Sequence, residues 1–272
     1  MDKFLKIIDK IVIVFASILL IILIGCISVL PIAKSKAFYM KEHKKNNVVE
    51  ILNTYTFTGE SHYQKDEEGN LIKHYYPDYD VNMEIVEIAT EHIIDYLYHK
   101  NVDSMQFQID TPEGKIDFFT TQAIVHMKDV KVLFIGGINL AFISLALFIC
   151  SIIYLIFRRQ FVKKSIIKLY SITIISFIIL LIGLIIFAII DFDTAFTVFH
   201  YMIFSSSDAE LAISFHYYDT LTNVLTGEFF MHIGLIIGIT FVSLLALSVI
   251  IGKILEKHGN TILNKLLKKQ TA

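Results

Sequence analysis

The sequence predicts an α-helical membrane protein with four transmembrane helices and both termini cytoplasmic. A small α+β extracytoplasmic domain is expected between helices 1 and 2, and an aromatic interfacial loop between helices 3 and 4. Three observations carry this prediction. Hydrophobic residues make up 55% of the 272, above the roughly 45–50% of soluble domains, and the mean hydropathy is +0.62. The excess lies in four blocks, 11–32, 132–157, 166–190 and 232–255, each reaching the ~20 residues needed to cross about 30 Å of hydrocarbon. The charges are sorted: Lys3, Lys6 and Lys10, then Arg158, Arg159, Lys163, Lys164 and Lys168, then Lys253, Lys257, Lys265, Lys268 and Lys269 mark the same side. Positive charge collects on the cytoplasmic side, so the termini and the 158–165 turn are expected inside, and the acidic segments 33–131 and 191–231 outside. The net charge of −2 conceals this division.

Taken in order, residues 1–10 form a short basic start to the first span. Leu23-Ile24-Gly25-Cys26 has the form of a lipid-attachment motif, but the apolar run continues to Ile32, which favours a retained helix. In segment 33–131, Val48–Thr58 is rich in β-branched and aromatic residues and reads as a strand. Asp66–Asn70 reads as a turn, and Leu71–Tyr76 as the partner strand. Asp80–Lys100 has Met83, Val86, Ile93 and Leu97 on one side and predicts a helix. Met105, Phe107 and Ile109 alternate before Thr111-Pro112-Glu113-Gly114, and Ile116 and Phe118 after it, predicting a hairpin. Phe118-Phe119 is expected to dip into lipid. The 158–165 turn is so short that spans two and three must be antiparallel neighbours. Segment 191–231 is acidic and aromatic, as suits a half-embedded interface. The tail 256–272 mixes Lys with Leu and Ile and predicts an inner-surface helix. Cys26 and Cys150 fall in opposite leaflets and are not expected to form a disulfide.

The stretch His126-Met127-Lys128-Asp129-Val130-Lys131 sits where the polar segment meets span two. His126 and Asp129, three apart, share a helix face, so the carboxylate is placed to hold one imidazole nitrogen and leave the other to accept a proton. His200 lies shortly after span three. Pairing of spans two and three brings it toward His126, with Asp191, Asp193, His216, Asp219, Glu228 and His232 nearby in sequence. Two imidazoles suit base-then-acid chemistry. A Zn or Mn site is the rival reading, though no tight His spacing supports it. There is no Ser or Cys elbow, no phosphate loop and no nucleic-acid motif. His43, His62, His74, His92, His99 and His258 read as surface residues. On these residues a lipid or peptide hydrolase using the same His pair and a non-enzymatic membrane sensor or accessory protein are both open readings.

HMKDVK entering a span, Phe199-His200 after the third, and Asp219-Thr220-Leu221 running to Phe229-Phe230 before the fourth resemble the bacterial lipoprotein intramolecular transacylases. Phe38-Tyr39 and Ile94-Asp95-Tyr96-Leu97 fit the same pattern. The resemblance implies a diacylated lipoprotein substrate. Its sn-2 acyl chain would move from the glycerol oxygen to the α-amine of the same cysteine, giving the lyso-form. It implies His126 as base oriented by Asp129, and His200 as oxyanion stabiliser or proton donor to the leaving oxygen. Phe199, Phe204, Asp219, Glu228, Phe229 and Phe230 would contact the substrate. No cofactor and no nucleic acid is implied; the partners are the lipoprotein and membrane lipid. The residues set no oligomeric state.

Overall fold

The computed structural model describes residues 2–66, 70–99, 102–204, 210 and 213–269. Four long helices dominate: α1 (Asp2–Ala33), α5 (Thr121–Phe157), α6 (Lys164–Ile190) and α9 (Gly227–Lys269). Each is long and apolar enough to cross a membrane, and each contains one of the four expected blocks. The chain forms two compact units. One comprises Met1–Leu30, Gly137–Ile186 and Ile236–Ala272, the other Pro31–Gly136 and Phe187–Leu235.

In the first unit, apolar side chains cover the outside, and a small inner cluster joins Ile21 and Ile24 of α1, Ile174 of α6 and Leu245 of α9. Small residues allow close helix approach. A Cβ on Gly238 would meet Ile185 Cδ1 at 2.9 Å. Tyr170 Oη donates to Ser248 Oγ at 2.7 Å, tying α6 to α9. Asp9, 1% exposed, accepts from Tyr154 Oη at 3.1 Å and Arg158 Nε at 3.4 Å. Arg159, at φ 53, turns the chain from α5 into α6, and both cysteines are free.

The second unit is built from shorter elements. These are α2 (Lys36–Lys45), α3 (Val48–Tyr55), the hairpin β1 (Ser61–Lys65)–β2 (Leu71–Tyr75), α4 (Met83–Tyr98) and the hairpin β3 (Gln108–Thr111)–β4 (Gly114–Asp117). After α6 come α7 (Phe192–Ile203) and α8 (Thr220–Val224). Side-chain oxygens start the helices, as their unpaired N–H groups require. Ser35 caps α2, Asn82 α4, Asp191 α7 and Asp219 α8. Each hairpin is a separate antiparallel pair, with His62 opposite His74 in one and Ile109 opposite Ile116 in the other. Phe57, Tyr76, Phe118, Phe119 and Phe229 form the centre of the core.

Several expectations change. Val48–Thr58 is mostly helix: Asn47, at φ 51, turns the chain out of α2, and Val48 and Leu52, one turn apart, are both fully buried. Burial on a helical face outweighs β propensity here. The partner of β2 is therefore Ser61–Lys65. In the predicted turn, Asp66 Oδ1 accepts from Asn70 N at 2.8 Å, while 67–69 lie outside the described residues. The helix expected over Asp80–Lys100 is Met83–Tyr98, and Lys100 is also outside them. Phe118 and Phe119, at 0% and 1% exposed, are core rather than lipid-dipping, and Phe118 packs against Phe57 and Phe107. Within segment 191–231, Phe192–Ile203 and Thr220–Val224 are helical, and α5 begins at Thr121, not Val132.

Candidate active site

The early start of α5 puts His126 inside a helix rather than at its end. Thr120 Oγ1 accepts from Ala123 N at 3.1 Å and donates to Asp219 Oδ2 at 2.6 Å, fixing where that helix begins. His126 is buried, at 9% exposed. On α7 the usual amphipathic pattern is inverted: Val198, Phe199, Tyr201 and Met202 are exposed while His200 is 5% exposed. A helix that shows apolar side chains outward suits a lipid interface, and here it turns its histidine inward. The two imidazoles meet with centroids 6.1 Å apart and planes 36° apart.

Their nitrogens differ. His200 Nδ1 lies 2.7 Å from the Phe196 carbonyl oxygen. A carbonyl only accepts, so Nδ1 carries the proton and Nε2 keeps its lone pair. Burial moves the His200 pKa below the ordinary imidazole value, against the opposing pull of that carbonyl. His126 Nδ1 is buried and makes no hydrogen bond. A buried orphan N–H is rarer than an orphan acceptor, which places the His126 proton on Nε2. Aromatic rings surround the pair. Phe204 lies 5.5 Å from His126 and stacks on His200 at 5.6 Å. Phe215 meets His126 edge-on at 5.7 Å, and Phe196 lies 4.2 Å from His200.

No hydrogen bond reaches His126 Nδ1, so the Asp129 carboxylate does not hold that nitrogen. Instead its charge acts on Tyr96 of α4, over whose ring Lys131 Nζ sits at 4.3 Å. Packing against α4 engages that face of α5 despite the i, i+3 spacing. The expected substrate contacts divide. Phe204 touches both imidazoles. Phe199, 52% exposed, meets His200 edge-on at 5.5 Å. Phe230 reaches the site through Phe196, 5.5 Å away. Glu228 is exposed in the first turn of α9. Two others are corrected. Phe229 is 2% exposed and packs on Tyr39 at 4.8 Å, so it is core. Asp219 is 3% exposed and serves α8 and Thr120; burial pushes its carboxyl up to about 6.

His232 is separate from the pair, bonded to Glu42 Oε2 at 2.8 Å. His43, read as surface, is fully buried. The Thr90 hydroxyl donates to Val86 O at 2.7 Å, so His43 Nε2 donates to that hydroxyl oxygen at 2.9 Å. Desolvation brings the His43 pKa down to about 4. His62 is also more than surface: it stacks on Tyr218 at 3.7 Å. Phe215 was not among the expected site residues, because contacts between segments remote in sequence leave no local signal; Phe196 was also missed, although its place four residues before His200 on one helix is a local signal. Among the described residues no three His, Cys, Asp or Glu side chains gather to hold a metal ion.

Two imidazoles with centroids 6.1 Å apart, one with an acceptor nitrogen and one with a donor, can take a proton from one atom and give one to another. Residues 12–230 match the family model described as lipoprotein intramolecular transacylase Lit. No curated protein matches the sequence. The fold is similar to the in meso structure of the membrane integral lipoprotein intramolecular transacylase Lit from Bacillus cereus. That protein is 18% identical, with 98% of this chain and 100% of that chain covered and a TM-score of 0.63. Structures of the B. cereus protein with a histidine-to-arginine and a histidine-to-alanine mutation are 16% and 17% identical. Both cover 95% of this chain, with 96% and 98% of theirs, and both have a TM-score of 0.65.

Proposed function

The chain belongs to the lipoprotein intramolecular transacylase family, and from that premise we propose how its own residues carry the reaction. It is a multi-pass membrane acyltransferase that acts on lipoproteins. The sn-2 acyl chain of a diacylglyceryl-cysteine passes from its glycerol oxygen to the cysteine α-amine, and the lyso-form results. The sorting of Lys and Arg supports cytoplasmic termini, segments 33–131 and 191–231 outside a bacterial cell membrane, and a reaction at its outer leaflet.

An α-amine of pKa about 8 is mostly protonated at neutral pH and needs a base. His200 Nε2 is that base, reversing the role expected for it, because its Nδ1 proton is committed to the Phe196 carbonyl. The amine attacks the ester carbonyl carbon and gives up one proton to His200. His126 Nε2–H donates a hydrogen bond to the oxyanion. When the carbonyl re-forms, the C–O bond breaks and the glycerol oxygen takes the proton back. Counted from the free amine, after the ammonium proton has passed to solvent, the balance is zero: one ester becomes one amide and one hydroxyl. Nucleophile and ester belong to one molecule, so holding a bent conformer supplies much of the acceleration. Phe199, Phe204 and Phe230 line the path of the acyl chain.

The observation that carries this reading is the 6.1 Å meeting of His126 and His200. The test expresses His126→Ala and His200→Ala in a host lacking other N-acyltransferases and follows a diacylated lipoprotein by mass spectrometry. The native chain yields N-acylated product of unchanged total mass, and each variant loses at least a hundredfold, in line with general acid–base contributions of about 10²–10⁴. Undiminished lyso-form from either variant ends the proposal, and release of free fatty acid identifies a hydrolase.

A further inference from the structure

With no hydrogen bond at Nδ1, the His126 ring is oriented by what packs on it. Phe204 and His200 cover part of it, and Phe215 stands T-shaped to it at 73°, a favoured arrangement for aromatic pairs. Phe215 belongs to a segment pinned on both sides. Before it, Gln122 Nε2 of α5 donates to Ser214 Oγ at 3.4 Å. After it, Asp219 accepts from Thr120 at 2.6 Å. Between these, Tyr218, only 6% exposed, donates its hydroxyl to Tyr63 O at 2.6 Å. The Tyr218 ring also lies flat on His62 at 3.7 Å and 14°. The β1–β2 hairpin thus holds the segment that carries Phe215.

The geometry points to Phe215, rather than a carboxylate, as the residue that positions the His126 imidazole, with Tyr218 and the β1–β2 hairpin as its anchor. This rests on the catalytic reading of His126 given above. Phe215 is a positioning residue: it aims a donor and exchanges no proton. Small misplacements of such a group are costly, up to about 10²-fold for 1 Å.

The test uses the full chain in lipid nanodiscs with a synthetic diacylglyceryl-cysteine lipopeptide. Phe215→Leu keeps an apolar side chain but loses the ring. Its kcat is expected to fall ten- to a hundredfold with KM within twofold, while Phe215→Tyr stays within about threefold of native, on the scale of such misplacements. Tyr218→Phe, which loses only the bond to Tyr63, is expected to fall less than Phe215→Leu. Full kcat in Phe215→Leu overturns the inference, as does a rise in KM at constant kcat, which would make Phe215 an acyl-binding wall. Should Phe215→Leu fail to fold, Phe215→Met is read by the same criteria. His126→Ala is run in parallel. If it remains active, the catalytic reading has failed; if it is dead while Phe215→Leu is fully active, only the positioning role has failed.

Discussion

Along the long helices, Phe142, Ile179 and Leu180 are 69%, 66% and 58% exposed. In the unit of Pro31–Gly136 and Phe187–Leu235, Phe57, Tyr76, Phe118 and Phe119 are 2% exposed or less. The same kinds of side chain that face outward along the bundle are gathered inward at the centre of the other unit. Lipid is as apolar as isoleucine, so the helix bundle gains little by hiding its isoleucines. It relies instead on close contacts such as Gly238 on Ile185 and on a few interhelical hydrogen bonds. Water surrounds less apolar surface in the other unit because its rings leave water to form a core. Substitutions should therefore have unequal consequences in the two units.

The widest gap is expected for Phe118→Ala, which empties the centre of the second unit and costs about 3–5 kcal/mol. Denaturant unfolding in detergent micelles, read by tyrosine fluorescence, measures it, and a loss below 1 kcal/mol would mean that the rings are not a shared core. Next comes pH. His43, with its pKa lowered to about 4, is neutral when folded and takes a proton first when unfolded. Its contribution is complete above pH 6.5 and is lost as pH falls to 4, by about 3 kcal/mol. Asp219, raised to about 6, has the opposite sign. Its penalty is absent below pH 4 and grows to about 3 kcal/mol as pH rises to 6. The two nearly cancel in the native chain. Relative to native, Asp219→Asn should lose stability on acidification from 6.5 to 4 and His43→Gln should gain it. Hydrogen exchange of the core amides across that range would refute the pairing if both variants tracked the native curve.

Smaller effects belong to the bundle. Tyr170→Phe removes the bond to Ser248 and should lower stability by about 0.6 kcal/mol, the average for bonds between membrane helices. Ile179→Ala on the lipid-facing surface should stay within about 0.5 kcal/mol of native. A larger loss at Ile179 than at Phe118 would invert the comparison.

The same contrast explains what could be read from the residues alone. The four spans were legible because lipid imposes length and apolarity on a continuous stretch, and each predicted block lies within one long helix. The start of α5 was hidden, because hydropathy ends at Val132 while the backbone continues helical back to Thr121. In the unit of Pro31–Gly136 and Phe187–Leu235, long-range packing decides. Val48–Tyr55 became a helix against its β-branched composition, and His43 disappeared into the core between Thr90 and Phe229. Of the site, the two histidines were foreseeable from their places beside neighbouring span ends. Asp129 shares a helix face with His126 but does not reach its Nδ1, because i, i+3 spacing alone does not bring two side chains into contact. Phe215 and Tyr218 gave no local clue, since their partners lie some ninety and a hundred and fifty residues away.

The proton on His200 Nδ1 is secured by Phe196, one turn back on the same short helix. Its tautomeric state therefore depends on nothing outside α7. Should that helix shift sideways to admit a bulky lipidated terminus, the ring would travel as one body with its carbonyl and arrive still able to accept a proton. Readiness for the next turnover is stored within a single helical turn.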